Sequence, residues 1–124
     1  MNWSAIGAVG LALAVALGAF GAHALRTELD AYSLDIWRGA VFYQFLHMLG
    51  LLIVPLFERA GALSRGVRTV VCSLMLLGVV LFSGSLYLLA LTGIRRLGAI
   101  TPLGGMSFVA AWLLLAFGLL RKSR

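Results

Sequence analysis

Tyr43, Gln44 and His47 are the residues whose types and spacing could support chemistry within an otherwise apolar stretch of this chain. Residues four apart share a helical face, so Tyr43 and His47 stack with Gln44 beside them. A phenol, an amide and an imidazole are costly to leave unbonded in hydrocarbon, so they should turn inward and bond one another. Two readings stand on these residues. In one they are interhelical hydrogen bonds, each contributing about 0.6–2 kcal/mol. In the other they form the floor of a functional pocket, with His47 as its hydrogen-bonding or proton-accepting group. His23, Ser83, Ser85, Tyr87 and Thr101 are further candidates. The run Thr101-Pro102-Leu103-Gly104-Gly105 offers a helix N-terminus with bare backbone at Gly104 and Gly105, just after Arg95 and Arg96. Such an end can hold an anion or a ligand carbonyl. The plainer alternative is that the glycines serve packing and the arginines meet lipid headgroups.

Several chemistries are disfavoured by what is missing, a redox or haem role ranking last among the readings. Zinc takes four ligands, and no suitably placed Cys, Asp or Glu completes a set with the two histidines. Bis-histidine haem needs both imidazoles at one depth, whereas His23 and His47 differ by several helical turns. A Ser–His–acid triad lacks a buried acid. The lone Cys72 allows no intrachain disulfide and no CxxC pair. The expectation is no metal, no cofactor and no enzymatic activity.

The elements that position these residues follow from composition. The chain has 124 residues, 62% apolar and 11% charged, against about 45–50% and about 25% for soluble domains. Crossing about 30 Å of hydrocarbon takes about 20 helical residues. Four stretches without internal charge meet that length: Trp3 to Ala22, Gly39 to Phe57, Thr69 to Thr92, and Pro102 to Leu120. Open strands cannot satisfy their backbone groups in lipid, so these are helices. The short gaps make consecutive helices antiparallel, giving an all-α integral membrane four-helix bundle as a single four-span domain over 1–124. Ala22-His23-Ala24 has the form of a signal-peptide cleavage site, but a basic n-region is lacking and the apolar run is too long, so a retained first helix is expected.

The net charge of +6 lies in the gaps between spans, where topology rather than nucleic acid explains it. Arg59, Arg65, Arg68, Arg121, Lys122 and Arg124 share the side of the N-terminus, against Arg26, Arg38, Arg95 and Arg96 opposite. Six against four favours cytoplasmic N- and C-termini in a bacterial inner membrane. Between the first two spans, Thr27-Glu28-Leu29-Asp30 resembles a capping box. Leu25, Leu29, Tyr32 and Ile36 recur at helical spacing, which predicts a short amphipathic interfacial helix with Tyr32 and Trp37 at headgroup level. Gly10, Ala14, Gly18 and Ala22 form a small-residue ladder that assigns helix one to a central packing position, and helix four has a looser version in Gly104, Ser107, Ala111 and Gly118.

Depth is the sharper observation. The outer halves of the helices hold Tyr43, Gln44, His47, Ser83, Ser85, Tyr87 and Thr101, with His47 down to about 12 Å deep. The inner halves, Leu49 to Phe57 and Val109 to Leu120, carry no hydrogen-bonding side chain except Trp112.

Four motifs in order carry a resemblance: Gly18-Ala19-Phe20-Gly21-Ala22-His23; Trp37 with Tyr43-Gln44 and His47; Leu81-Phe82-Ser83-Gly84-Ser85-Leu86-Tyr87; and Thr101-Pro102-Leu103-Gly104-Gly105. Together they resemble the YgdD/YwdK-like family (UPF0382/DUF423-type) of small bacterial inner-membrane proteins of unknown function. Trp112 matches as well, although Ala111 stands where that family often has glycine. The resemblance implies four helices in a bacterial inner membrane and makes the outer-half polar residues the signature of the family. It supplies no activity.

The function expected is that of a non-enzymatic membrane protein with an outward-facing polar pocket for a small ligand, lipid headgroup or anion. His47, Tyr43 and Gln44 would form its floor, and His23 with Thr101 its mouth. One alternative is an oligomeric channel or transporter, against which the apolar inner half stands. Another is a structural or accessory subunit assembling through its Gly/Ala faces. The lipid bilayer is the expected partner, with a homo-oligomer left open.

Overall fold

The structure, a computed structural model, describes residues 1–122. Its elements are α1 (Trp3–His23), α2 (Ala31–Arg59), α3 (Arg65–Gly78), a π-helical turn (Val79–Ser83), α4 (Gly84–Thr92), a 3₁₀ turn (Arg95–Ala99) and α5 (Thr101–Lys122). The segment Arg65–Thr92 acts as one span, and all four spans are long and apolar enough to cross a membrane. No strand occurs among the described residues. The chain is an all-α, four-span membrane bundle.

Local chemistry sets the helix starts. Side-chain oxygens of Asn2, Asp30 and Ser64 accept from the backbone N–H of Ala5, Ser33 and Val67, at 3.0, 2.8 and 3.3 Å. Each satisfies a donor that the first turn would leave orphaned. Gly93, at φ 70°, takes the left-handed conformation that closes α4.

The connection between α1 and α2 differs from the sequence expectation. Residues 24–29 form turns, Asp30 rather than Thr27 is the cap, and helix then runs unbroken from Ala31 to Arg59. There is no separate interfacial helix. The charge at Arg38 marks where hydrocarbon ends, but arginine is a good helix former and does not stop the backbone. Tyr32 is exposed as expected, whereas Trp37 is 3% exposed and turned inward. Its indole N–H donates to the carbonyl of Leu17 at 2.9 Å, and its ring meets Tyr87 edge-on at 4.7 Å.

Helix α2, the third span and α5 meet one another, and α1 lies on the outside of α2. Helix α1 packs on α2, α2 on the third span, and the third span on α5. The most apolar part of α2 is 44% buried and that of α1 only 22%, with 33% for each of the other two spans. Helix α1 is therefore an outer helix, not the central one its small-residue ladder suggests. Its seam on α2 is Trp3, Gly7, Gly10, Ala14 and Gly21, spaced by threes and fours as in left-handed helix pairs. Gly18 is only half-buried and Ala22 is exposed. A strict four-residue ladder overshoots a full turn by about 40° per step and so winds off the contact. The looser set in α5 holds, with Gly104, Ser107, Ala111 and Gly118 all buried against the third span.

The third span is expected as one regular helix. It carries instead the π turn at Val79–Ser83, where Phe82 meets α5 and Ser83 meets α2. A Cβ on Gly104 would sit 2.5 Å from the Phe82 backbone nitrogen. The turn and the glycine thus fit one close backbone approach. The main core gathers around Leu51, Met75 and Ala111, and a smaller one around Leu34, Trp37 and Ala90.

Candidate functional site

Gln44 lies on the buried face of α2 and ties three helices together. Its amide N–H donates to the carbonyl of Gly10 at 3.0 Å, and its amide oxygen accepts from the Tyr87 hydroxyl at 2.7 Å. Gly10 lacks a side chain that would cover that carbonyl, and the Met48 side chain fills the space a Cβ would need.

His47, one turn on, is 2% exposed. Its Nδ1 lies 2.8 Å from the carbonyl of Tyr43, and its Nε2 accepts the indole N–H of Trp112 at 2.9 Å. A carbonyl can only accept and an indole N–H can only donate, so the neutral Nδ1–H tautomer satisfies both bonds. Phe108 stacks on the imidazole, with ring centroids 3.5 Å apart and planes 8° from parallel. Both ring nitrogens are engaged within the protein.

Four further hydroxyls follow the same pattern. Ser83 donates to the carbonyl of Ala40 at 2.7 Å, and Ser107 to that of Leu74 at 2.7 Å. Ser85 reaches both the carbonyl of Phe82 at 2.9 Å and the hydroxyl of Thr101 at 2.6 Å. These are separate pairs, each crossing from one helix to another or tightening a turn. Buried polar groups normally find such partners, and the helices are joined by them.

Tyr43 differs from these. It is 37% exposed, and its hydroxyl makes no hydrogen bond among the described residues. It borders a groove of about 790 Å³ between α2 and α5, whose walls include His47, Phe82, Gly105, Met106 and Trp112. The groove opens sideways, since Met106, Val109 and Leu113 on its rim are exposed apolar residues. No charged residue lines it.

Of the ten residues expected at one site, Tyr43, His47 and Gly105 border this groove, and Gln44, Ser83, Ser85, Tyr87 and Thr101 lie in the helix-joining pairs. His23 is exposed at the end of α1. Gly104 is covered by Phe82, so its backbone is not bare. Arg95 and Arg96 are exposed in the 3₁₀ turn. Residues that spacing did not assign to the site include Gly10, Phe108 and Trp37. Trp112 carried a signal, as the one donor in a bare half-helix. Among the described residues, no three His, Cys, Asp or Glu side chains are grouped to hold a metal.

A family profile described as "Protein of unknown function (DUF423)" matches residues 17–105. A UPF0382 membrane protein of Staphylococcus saprophyticus is 48% identical over 113 residues, covering 91% of this chain and 92% of its own. One from Staphylococcus haemolyticus is 49% identical over 110 residues, covering 89% and 88%. The UPF0382 membrane protein YwdK of Bacillus subtilis is 46% identical over 112 residues, covering 89% of each chain. No solved structure matches the chain.

Proposed function

The chain belongs to the DUF423 family, whose function is unknown, and we propose from its geometry that it is a non-enzymatic membrane protein whose α2–α5 groove takes an apolar molecule bearing one hydrogen-bonding group. The observation that carries this reading is the free hydroxyl of Tyr43 at the edge of that groove, where its polar neighbours Gln44, His47, Ser83, Tyr87 and Trp112 are all engaged within the protein. Sites for small ligands are mostly apolar with few polar groups that fix orientation. The opening faces the acyl chains, so the ligand arrives from within the bilayer. Without a cation in the wall, an anion has no counter-charge there. We place the protein in a bacterial inner membrane with both termini cytoplasmic, because six Lys/Arg flank that end against four at the other.

The channel reading has less support. From Leu49 to Phe57 and Val109 to Leu120 the one hydrogen-bonding side chain is Trp112, and its N–H is engaged by His47.

Photolabelling tests the groove. A long-chain alcohol carrying a diazirine, added to membranes, should form adducts concentrated on Tyr43, Met106 and Val109. Gly105→Leu, which fills the groove, should remove them while helical content is retained. Adducts spread equally over lipid-facing residues such as Val9 and Val15 would overturn the reading.

A further inference from the structure

A second recess lies at the opposite end of the bundle, where both termini are. It holds about 430 Å³ between the start of α3 and the last turns of α5. Val67, Leu114 and Phe117 make its apolar part, and Ser64, Arg121 and Lys122 its polar part. Gly118 lets the two helices approach, since a Cβ there would come within 2.8 Å of Leu63 and 2.9 Å of Val67. The guanidinium of Arg121 lies 5.6 Å over the ring of Phe117, at the seam between the two parts.

The charge around this recess is one-sided. By sequence this end carries six Lys/Arg and a single acid, Glu58, and the opposite end four and three. Glu58 is engaged by Arg68 at 3.6 Å. Among the described residues Arg65, Arg121 and Lys122 have no carboxylate partner. Among the described residues the polar part of the recess therefore holds cations without a carboxylate partner, beside an apolar part made by Val67, Leu114 and Phe117.

We propose that this recess binds an anionic phospholipid, with its phosphate on Arg121 and Lys122 and one acyl chain along Leu114 and Phe117. A guanidinium presents parallel N–H groups that match two phosphate oxygens. Stacking on Phe117 holds that fork in place, and lysine adds a second charge. The apolar part has no use for free phosphate, and a zwitterionic headgroup would leave the cations uncompensated. The occupant is thus a lipid, and a negatively charged one.

The test uses the full chain in vesicles of equal parts phosphatidylglycerol and phosphatidylcholine, with bound lipids counted by native mass spectrometry. Phosphatidylglycerol should be retained several-fold over phosphatidylcholine. Arg121→Gln and Lys122→Gln should each reduce that preference about fivefold, the effect of one basic residue near an anionic surface. Arg95→Gln, at the other end, should leave it unchanged. Lys122 is exposed at the end of α5, so Lys122→Gln keeps the test sound if Arg121→Gln unfolds. Equal retention of the two lipids, or a preference that survives both substitutions, would overturn the proposal. Loss of the preference on adding inorganic phosphate, or in Arg95→Gln to the same extent, would overturn it as well.

Discussion

The indole N–H of Trp112 donates to Nε2 of His47 across 2.9 Å, joining α5 to α2. The backbones of these two helices pack on the third span rather than closely on each other, and their side chains meet across the gap at His47, Phe108 and Trp112. The bond closes one side of the α2–α5 groove and consumes the lone pair through which an imidazole would accept a proton or hold a metal.

Trp112→Phe keeps the aromatic packing and removes the donor. We expect a loss of about 1 kcal/mol, the usual worth of an interhelical bond in lipid, read from thermal or denaturant unfolding in detergent. In the wild-type protein, nitrogen NMR of His47 should show the Nδ1–H tautomer. An Nε2–H signal would contradict the assignment.

Gln44 and Tyr87 should couple. Tyr87→Phe removes one bond, while Gln44→Leu removes that bond and the one to the carbonyl of Gly10, and leaves the Tyr87 hydroxyl without its acceptor. The cost should be larger for Gln44→Leu. A double-mutant cycle should give a coupling of about 0.6–1.7 kcal/mol; additive effects would mean that the bond contributes nothing.

Neighbouring glycines should behave oppositely. A Cβ on Gly104 meets the backbone of Phe82, which cannot yield, whereas one on Gly105 comes no closer than 3.8 Å to the Phe82 ring. Gly104→Ala should cost about 1–3 kcal/mol as overpacking, and Gly105→Ala about 0.5 kcal/mol or less. Comparing unfolding midpoints of the two variants checks this.

The start of α2 should be sensitive to acid. The backbone N–H of Ser33, donating to the carboxylate, holds Asp30 below its ordinary range. Its contribution is present above the ordinary carboxylate value of about 4 and is lost as pH falls through the lowered one. The protection of the Ser33 amide, taken relative to its intrinsic exchange rate at each pH, should therefore fall below that value. Asp30→Asn, which can still cap, should remove this pH dependence; unchanged acid sensitivity in that variant would contradict the assignment.

The four spans were legible because hydrocarbon thickness and charge-free length leave little choice. The crowding of polar side chains toward one end was legible too, since it depends only on depth. What spacing could not supply was rotation. Gln44 and His47 lie three residues apart on one helix, yet Gln44 turns to α1 and α4 while His47 turns to α5. The partner of His47 lies 65 residues away, and nothing in the local pattern points to it. The start of α2 was misplaced because charge reports where lipid ends and not where a helix begins. Tyr43 was legible as a candidate, but its freedom emerged only once every neighbouring donor and acceptor had been matched.

The π turn at Val79–Ser83 carries a geometric corollary. Accommodating an additional residue there rotates everything downstream by about 100° relative to an uninterrupted helix. Deleting one residue from that stretch would leave hydropathy and span length nearly untouched. It would swing the Tyr87 phenol off its azimuth toward Gln44 and carry Ser85 away from Thr101, so the phase of the upper half-span is a heritable dimension that a hydropathy plot does not record.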